Sequence, residues 1–119
     1  MTRKSGAPKN GSERVELMQG TLQMLVLKIV ELEPMHGYGL TERLEQITGG
    51  AFQVNPGSLF PALHKMEERG WLKAEWGTTP NNRRAKFYRL TPGGRRQLKA
   101  ECRSWENLTV AINRVLRTI

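Results

Sequence analysis

From Val54 to Gly94 the chain reads VNPGSLFPALHKMEERGWLKAEWGTTPNNRRAKFYRLTPGG, and this stretch decides the fold. Asn55 can cap a helix, because its side-chain oxygen reaches the free backbone N–H groups of a first turn, and Pro56 suits the first helical position, where an N–H is not needed. Leu59, Leu63 and Met66 then recur at helical spacing with Phe60 and Ala62 flanking them, and Gly70 closes the run. Two short segments with alternating burial follow, Trp71 to Trp76 and Ala85 to Leu90, joined by the eight-residue loop GTTPNNRR. A short amphipathic helix before a hairpin with an arginine-tipped loop predicts a winged helix-turn-helix. In that arrangement the helix enters a major groove and the loop reaches the neighbouring backbone.

The sequence before this block completes a small helical core. A first helix is expected from about Glu13 to Glu33, with Leu22, Leu25, Val26, Ile29 and Leu32 at helical spacing and Met24, Leu27 and Val30 widening the stripe. So broad an apolar arc belongs at the centre of a fold. Pro34 stops the helix, and the glycines of MHGYGL let the chain turn back. A second helix over Tyr38 to Thr48 buries Leu40, Leu44 and Ile47, Gly49 and Gly50 end it, and Phe52 and Val54 alternate around Gln53 as a short strand would. His36 is expected to cap or pack near the second helix. The polar, basic residues 1–14 read as a solvated arm, although Arg3, Lys4 and Lys9 could track a phosphate backbone.

After the hairpin, Thr91 caps a last helix with Pro92 at its first position, running to about Leu116. Leu98, Cys102, Trp105, Thr109, Ile112, Leu116 and Ile119 follow alternating steps of four and three, a heptad seam that Leu108 and Val115 widen. A lone helix cannot cover such a seam, so it packs back on its own domain or pairs with a second chain, and a long terminal helix favours pairing. The organisation expected is therefore an arm (1–14), a winged-helix domain (15–92) and a dimerisation helix (93–119). The class is mainly α with a small β-hairpin. Trp105 either fills the interface or, with its symmetry mate, walls a pocket for a flat aromatic effector.

With 119 residues the chain is the size of one domain, and its formal charge of +8 favours a polyanionic partner. Nucleic acid leads, because the longest apolar run, Met24 to Leu27, is far below the ~20 residues of a membrane span. No signal-peptide core is visible, and the lone Cys102 excludes an internal disulfide or a cysteine metal cage, which fits a reducing cytoplasm. As a seam residue Cys102 reads as a small buried hydrophobe. Arg83, Arg84, Lys86, Arg89, Arg95 and Arg96 place six of the nineteen cations in fourteen residues, at and just beyond the loop tip. Arg83 and Arg84 are the leading DNA contacts with Lys86 beside them; Arg89, Arg95 and Arg96 are weaker candidates, for which strand pairing or surface ion pairs are the alternative. On the helix, the capping Asn55 together with Gly57, Ser58, His64 and Lys65 forms the face for phosphate or base edges, and Pro61 should loosen or bend the first turn. No phosphate loop, paired-cysteine site or histidine pair suggests an enzyme, and no cofactor is implied.

Four segments together, LMQGTLQMLVLKIVE (17–31), HGYGL (36–40), GSLFPALHKMEERGWL (57–72) and RRAKFYRLTPGGRRQL (83–98), resemble the PadR family of bacterial transcriptional regulators. The resemblance implies a homodimer of winged helices, usually a repressor, that binds an inverted-repeat operator in double-stranded DNA and releases it when a small aromatic compound binds. Its length resembles the short subtype with a single C-terminal helix. Residues 57–63 correspond to the family's GSLYPAL motif, with Phe60 in place of tyrosine; Lys65 stands where arginine is common, and Trp105 matches a tryptophan frequent in the last helix. Two other readings remain at this point, a nonspecific architectural DNA binder and a protein-interaction module that pairs through its last helix.

Overall fold

A computed structural model describes residues 19–118, with side-chain burial from residue 20. The element order is α1 (Gln19–Leu32), β1 (Met35–His36), α2 (Gly37–Ile47), α3 (Pro56–Glu68), β2 (Leu72–Thr78), β3 (Arg84–Leu90) and α4 (Pro92–Leu116). The class is as expected, helices around a small antiparallel sheet. The basic arm, the helical reading of residues 13–18 and Ile119 lie outside the described residues. α1 is the hub, packed against α2, α3, α4 and β3. Leu22, Val26, Leu27, Ile29 and Val30 enter the core from it and meet Leu40 and Leu44 of α2 and Leu59, Leu63 and Met66 of α3. At ~25 cal/mol per Å2 of apolar area, the burial of this one stripe on several partners is the main force ordering the helices.

Three local expectations need correction. Leu32 and Ile47 continue the apolar periodicity but are 61% and 59% exposed, because each stands in the last turn of its helix, past the edge of the core. The short strand expected over residues 52–54 is a single bridge residue at Phe52; the third strand is β1, formed from the turn residues Met35 and His36 against Tyr88 and Phe87 of β3. Sheet order is therefore β1-β3-β2, with β3 central. His36 does cap α2, its Nδ1 accepting from the Gly39 N–H at 3.1 Å, while its ring meets Phe87 edge-on at 5.2 Å. In α3, Pro61 leaves the helix continuous from Pro56 to Glu68. Gly57 is exposed, so the carbonyl that Pro61 cannot serve is open to water.

The turn out of α3 is set by Gly70, at φ 77°. Its N–H donates to the Glu67 carbonyl and that of Trp71 to the Met66 carbonyl, each at 3.0 Å, which uses up two of the helix's orphan acceptors and aims the chain into β2.

The hairpin pairs β2 with β3 from Leu72↔Leu90 to Thr78↔Arg84. The strands thus run further than the sequence suggests, and the loop is residues 79–83 rather than 77–84. Its geometry is a turn closed by the Asn82 N–H on the Thr79 carbonyl, with Asn82 at φ 63° and the Thr79 N–H bonded to the Arg83 carbonyl at 2.8 Å. Inside the Thr79–Arg83 bond, residues 80–82 form a three-residue hairpin loop, a turn followed by a left-handed residue, and Pro80 sits where its fixed φ suits the turn. Asparagine tolerates the left-handed region and β-branched residues do not. Asn82→Val is therefore expected to cost about 1–2 kcal/mol, read as a lower melting temperature by circular dichroism, whereas Asn82→Gly leaves stability unchanged or slightly higher.

α4 enters the same core before leaving it. Leu98 is buried and Cys102 only partly buried, so the cysteine is less enclosed than its seam position suggests. Arg95 reaches Glu31 of α1 at 3.1 Å, and Glu31 also accepts from Lys28 at 3.0 Å. The hydrogen bond from Lys28 is the larger cause holding the Glu31 carboxyl below its ordinary pKa, against a smaller opposing effect of burial.

Candidate nucleic-acid interface

Three elements bring the site together: α2 at its start, α3 along its outer face, and the wing. Gly57, Ser58, Pro61, His64 and Lys65 are all exposed and recur at three- and four-residue steps, so they share one helix face. The Asn55 Oδ1 accepts the Ser58 N–H at 2.9 Å, so its oxygen is committed to the cap and only its amide nitrogen is left to donate outward. Beside that face His64 meets Glu68 at 3.4 Å; both side chains are mostly exposed, so the contact is weak and solvated. No ion pair involves Lys65 among the described residues.

The basic run divides once its partners are seen. Arg89 pairs with Glu75 at 3.0 Å and Arg95 with Glu31 at 3.1 Å, the surface ion pairs anticipated for them. Lys86 lies 3.4 Å from Glu67 in the last turns of α3, and its ammonium is 5.9 Å from the centre of the Tyr88 ring. That pair ties the hairpin to α3, a positioning role the sequence did not suggest. Burial pushes the Tyr88 phenol above its ordinary pKa, with Lys86 nearby opposing the shift. Arg83 and Arg84 have no carboxylate partner among the described residues, and the Arg84 guanidinium stands 5.2 Å over the Trp76 ring. Two uncommitted guanidinium groups at the wing and an exposed polar helix face can together grip a polyanion in register.

Between the wing and the helices lies an open cleft of 940 Å3. Phe60, expected on the inward flank of α3, is half exposed here, and its ring covers Gly37 so closely that a Cβ there would stand 2.7 Å from it. Trp76, at the end of the segment expected to alternate in burial, is 62% exposed and lines the cleft with Tyr38, Arg83, Arg84 and Lys86. Sequence reasoning missed Tyr38 and Trp76 as surface features. The signal available was the hairpin's length: Trp76 shares a sheet face with Leu72 and Ala74, but that face runs out beyond the helices that could cover it.

The seam residues behave in two ways. Leu98 and Cys102 face the domain's own core, whereas Trp105, Leu108, Ile112 and Leu116 are about half exposed or more and Thr109 is exposed too, its hydroxyl donating to the Trp105 carbonyl at 2.9 Å. Among the described residues, the second half of α4 is therefore left exposed. Among the described residues no helix is long and apolar enough to cross a membrane, and no cluster of three or more His, Cys, Asp or Glu could hold a metal ion.

Comparison with known proteins fits this geometry. The model of the transcriptional regulator PadR-like family matches residues 26–100. The transcriptional regulator Rv3488 of Mycobacterium tuberculosis is 31% identical over 93 residues, which span 78% of this chain and 83% of that protein. Among solved structures, a PadR family transcriptional regulator from Eggerthella lenta superposes with a TM-score of 0.74 at 31% identity, covering 85% of this chain and 86% of that one. A PadR-like transcriptional regulator from Bacillus cereus gives a TM-score of 0.73 at 25% identity, covering 85% and 96%.

Proposed function

This chain belongs to the PadR-like family of transcriptional regulators, and from that premise we propose that it is a cytoplasmic, homodimeric repressor of an inverted-repeat operator. The observation that carries the reading is the pairing of one bare polar face on α3 with two guanidinium groups, Arg83 and Arg84, that no carboxylate of the described residues engages. Ser58 and Lys65 meet phosphate or base edges in the major groove; Gly57 and His64 lie on the same face. Asn55 fixes the helix start, and Lys86 holds the wing at its angle through Glu67. The bare half of α4 pairs with its copy, and a flat aromatic effector seated between the two Trp105 indoles would change the angle between the DNA-binding domains and so weaken the operator complex.

Mobility-shift titrations over a salt series test the wing. Replacing both Arg83 and Arg84 with alanine should lower the slope of log K against log salt by about two, because each lost phosphate contact removes about one released counterion. An unchanged slope would remove the wing from the interface. Scrambled duplex that competes as well as the operator would favour an architectural binder instead.

A further inference from the structure

The cleft beside the wing has more aromatic surface than a phosphate clamp requires. Tyr38, Phe60 and Trp76 are 68%, 49% and 62% exposed, yet all three line the same space. Apolar rings converging at a surface and rimmed by polar groups mark an interaction site. The rim says what kind: Arg83 and Arg84 stand around it with no carboxylate partner among the described residues, Lys86 stands beside them paired with Glu67, and the one acid among the lining residues is Glu42. A partner that suits both features alternates apolar and anionic units, and the sugar–phosphate backbone of a nucleic acid does so.

Trp76 is where the two features meet. Its ring carries the Arg84 guanidinium at 5.2 Å, and it pairs across the hairpin with Lys86. A guanidinium resting on an aromatic face keeps its donors free at the edge while losing rotamer freedom in advance, so less entropy is spent when it grips a phosphate. On the other wall Phe60 presents a ring with no hydroxyl, so it offers a face and no hydrogen bond. The cleft is open rather than enclosed, which suits a strand passing through.

We propose that this cleft seats one strand of duplex DNA by its sugars as well as its phosphates, with deoxyribose faces against Trp76 and Phe60 and a phosphate on the Arg84 that Trp76 holds. The proposal rests on the DNA-binding reading above and adds to it a contact that is independent of both base sequence and salt. Counterion release accounts for the arginines, whereas burial of a sugar on an indole releases no ion.

The test is Trp76→Ala in the full chain, titrated against random-sequence duplex DNA over a range of salt concentrations. Affinity should fall by about tenfold, the equivalent of ~1.4 kcal/mol, at every salt concentration and with the slope unchanged, and Trp76→Phe should recover most of it. Arg84→Ala should instead lower the slope by about one. Trp76 is exposed, so an unchanged melting temperature will show that the fold persists. Unaltered affinity in Trp76→Ala, with the arginine variants still losing slope, overturns the sugar seat and leaves the DNA-binding reading standing. If no variant changes affinity or slope, the DNA-binding reading itself fails. If 2-naphthoate binds with Trp76-dependent quenching while Trp76→Ala binds DNA normally, the cleft belongs to a small aromatic anion and the proposal is overturned.

Discussion

Glutamate at both Ile112 and Leu116 is expected to turn a dimer into a monomer and to weaken operator binding by about 100-fold. The two residues are 46% and 74% exposed, and they stand with Trp105, Leu108 and Val115 on the exposed second half of α4. Charges there do not disturb the domain's own core, which takes its contribution from Leu98 at the other end of the helix. They do place four carboxylates in the seam of a paired helix, where each must be desolvated without a partner. Once the chains separate, each recognition helix binds alone. The second half-site no longer benefits from a tether that holds it at a millimolar effective concentration, and the operator loses most of its advantage over other DNA. Sedimentation reads the first effect and a mobility shift the second. A variant that stays dimeric would place the interface elsewhere; a monomer that binds the operator as tightly as the parent would end the two-copy reading.

Gly94→Ala is expected to destabilise the fold by about 3 kcal/mol and to lower the melting temperature by about 10–20 °C. Gly94 is buried in the first turn of α4, and a Cβ at that position would stand 2.1 Å from the Trp71 carbonyl oxygen and 3.0 Å from its carbon. Both are backbone atoms of the chain between α3 and β2, so no rotamer change relieves the clash. The second neighbour, Leu90 Cδ1 at 2.7 Å, belongs to β3 and could turn aside, but the carbonyl cannot. Moving it breaks the junction around it. There the Thr91 N–H donates to that same carbonyl at 3.1 Å, the Thr91 hydroxyl donates to the Gly70 carbonyl, and the Gly94 N–H donates to Thr91 Oγ1 at 2.9 Å. Thermal melts of Gly94→Ala beside the parent check the prediction, and a shift under ~2 °C would show that the junction yields easily.

The sequence was most readable where one residue's chemistry acts locally. Asn55 with Pro56 and Thr91 with Pro92 marked two helix starts to the residue, and each side chain makes the capping bond that the pair implies. The central stripe of α1 was legible for the same reason, since periodicity is a property of the helix itself. What the pattern could not show was where the core stops. Leu32, Ile47 and Trp76 keep the period of their neighbours but lie beyond the last layer that could cover them, and burial depends on that layer. β1 was also hidden: two residues of a turn become a strand only because β3 passes beside them. The candidate site divides in the same way. Arg83 and Arg84 could be picked out from clustering alone, whereas the turning of Lys86 toward Glu67 depends on how the hairpin leans against α3, which no local spacing encodes.

β3 runs into α4 through a single residue, Thr91, so the hairpin and the long last helix form one continuous lever. In the homodimer proposed above, the arm's direction would fix how far apart two copies hold α3, while the side chains proposed to meet DNA lie on other surfaces. On that reading, operator spacing and base preference are set by separate parts of the chain. Substitutions on the exposed second half of α4 should change the number of base pairs between half-sites without changing their letters, and those on the outer face of α3 should do the reverse. Such a molecule can acquire a new target along either coordinate alone.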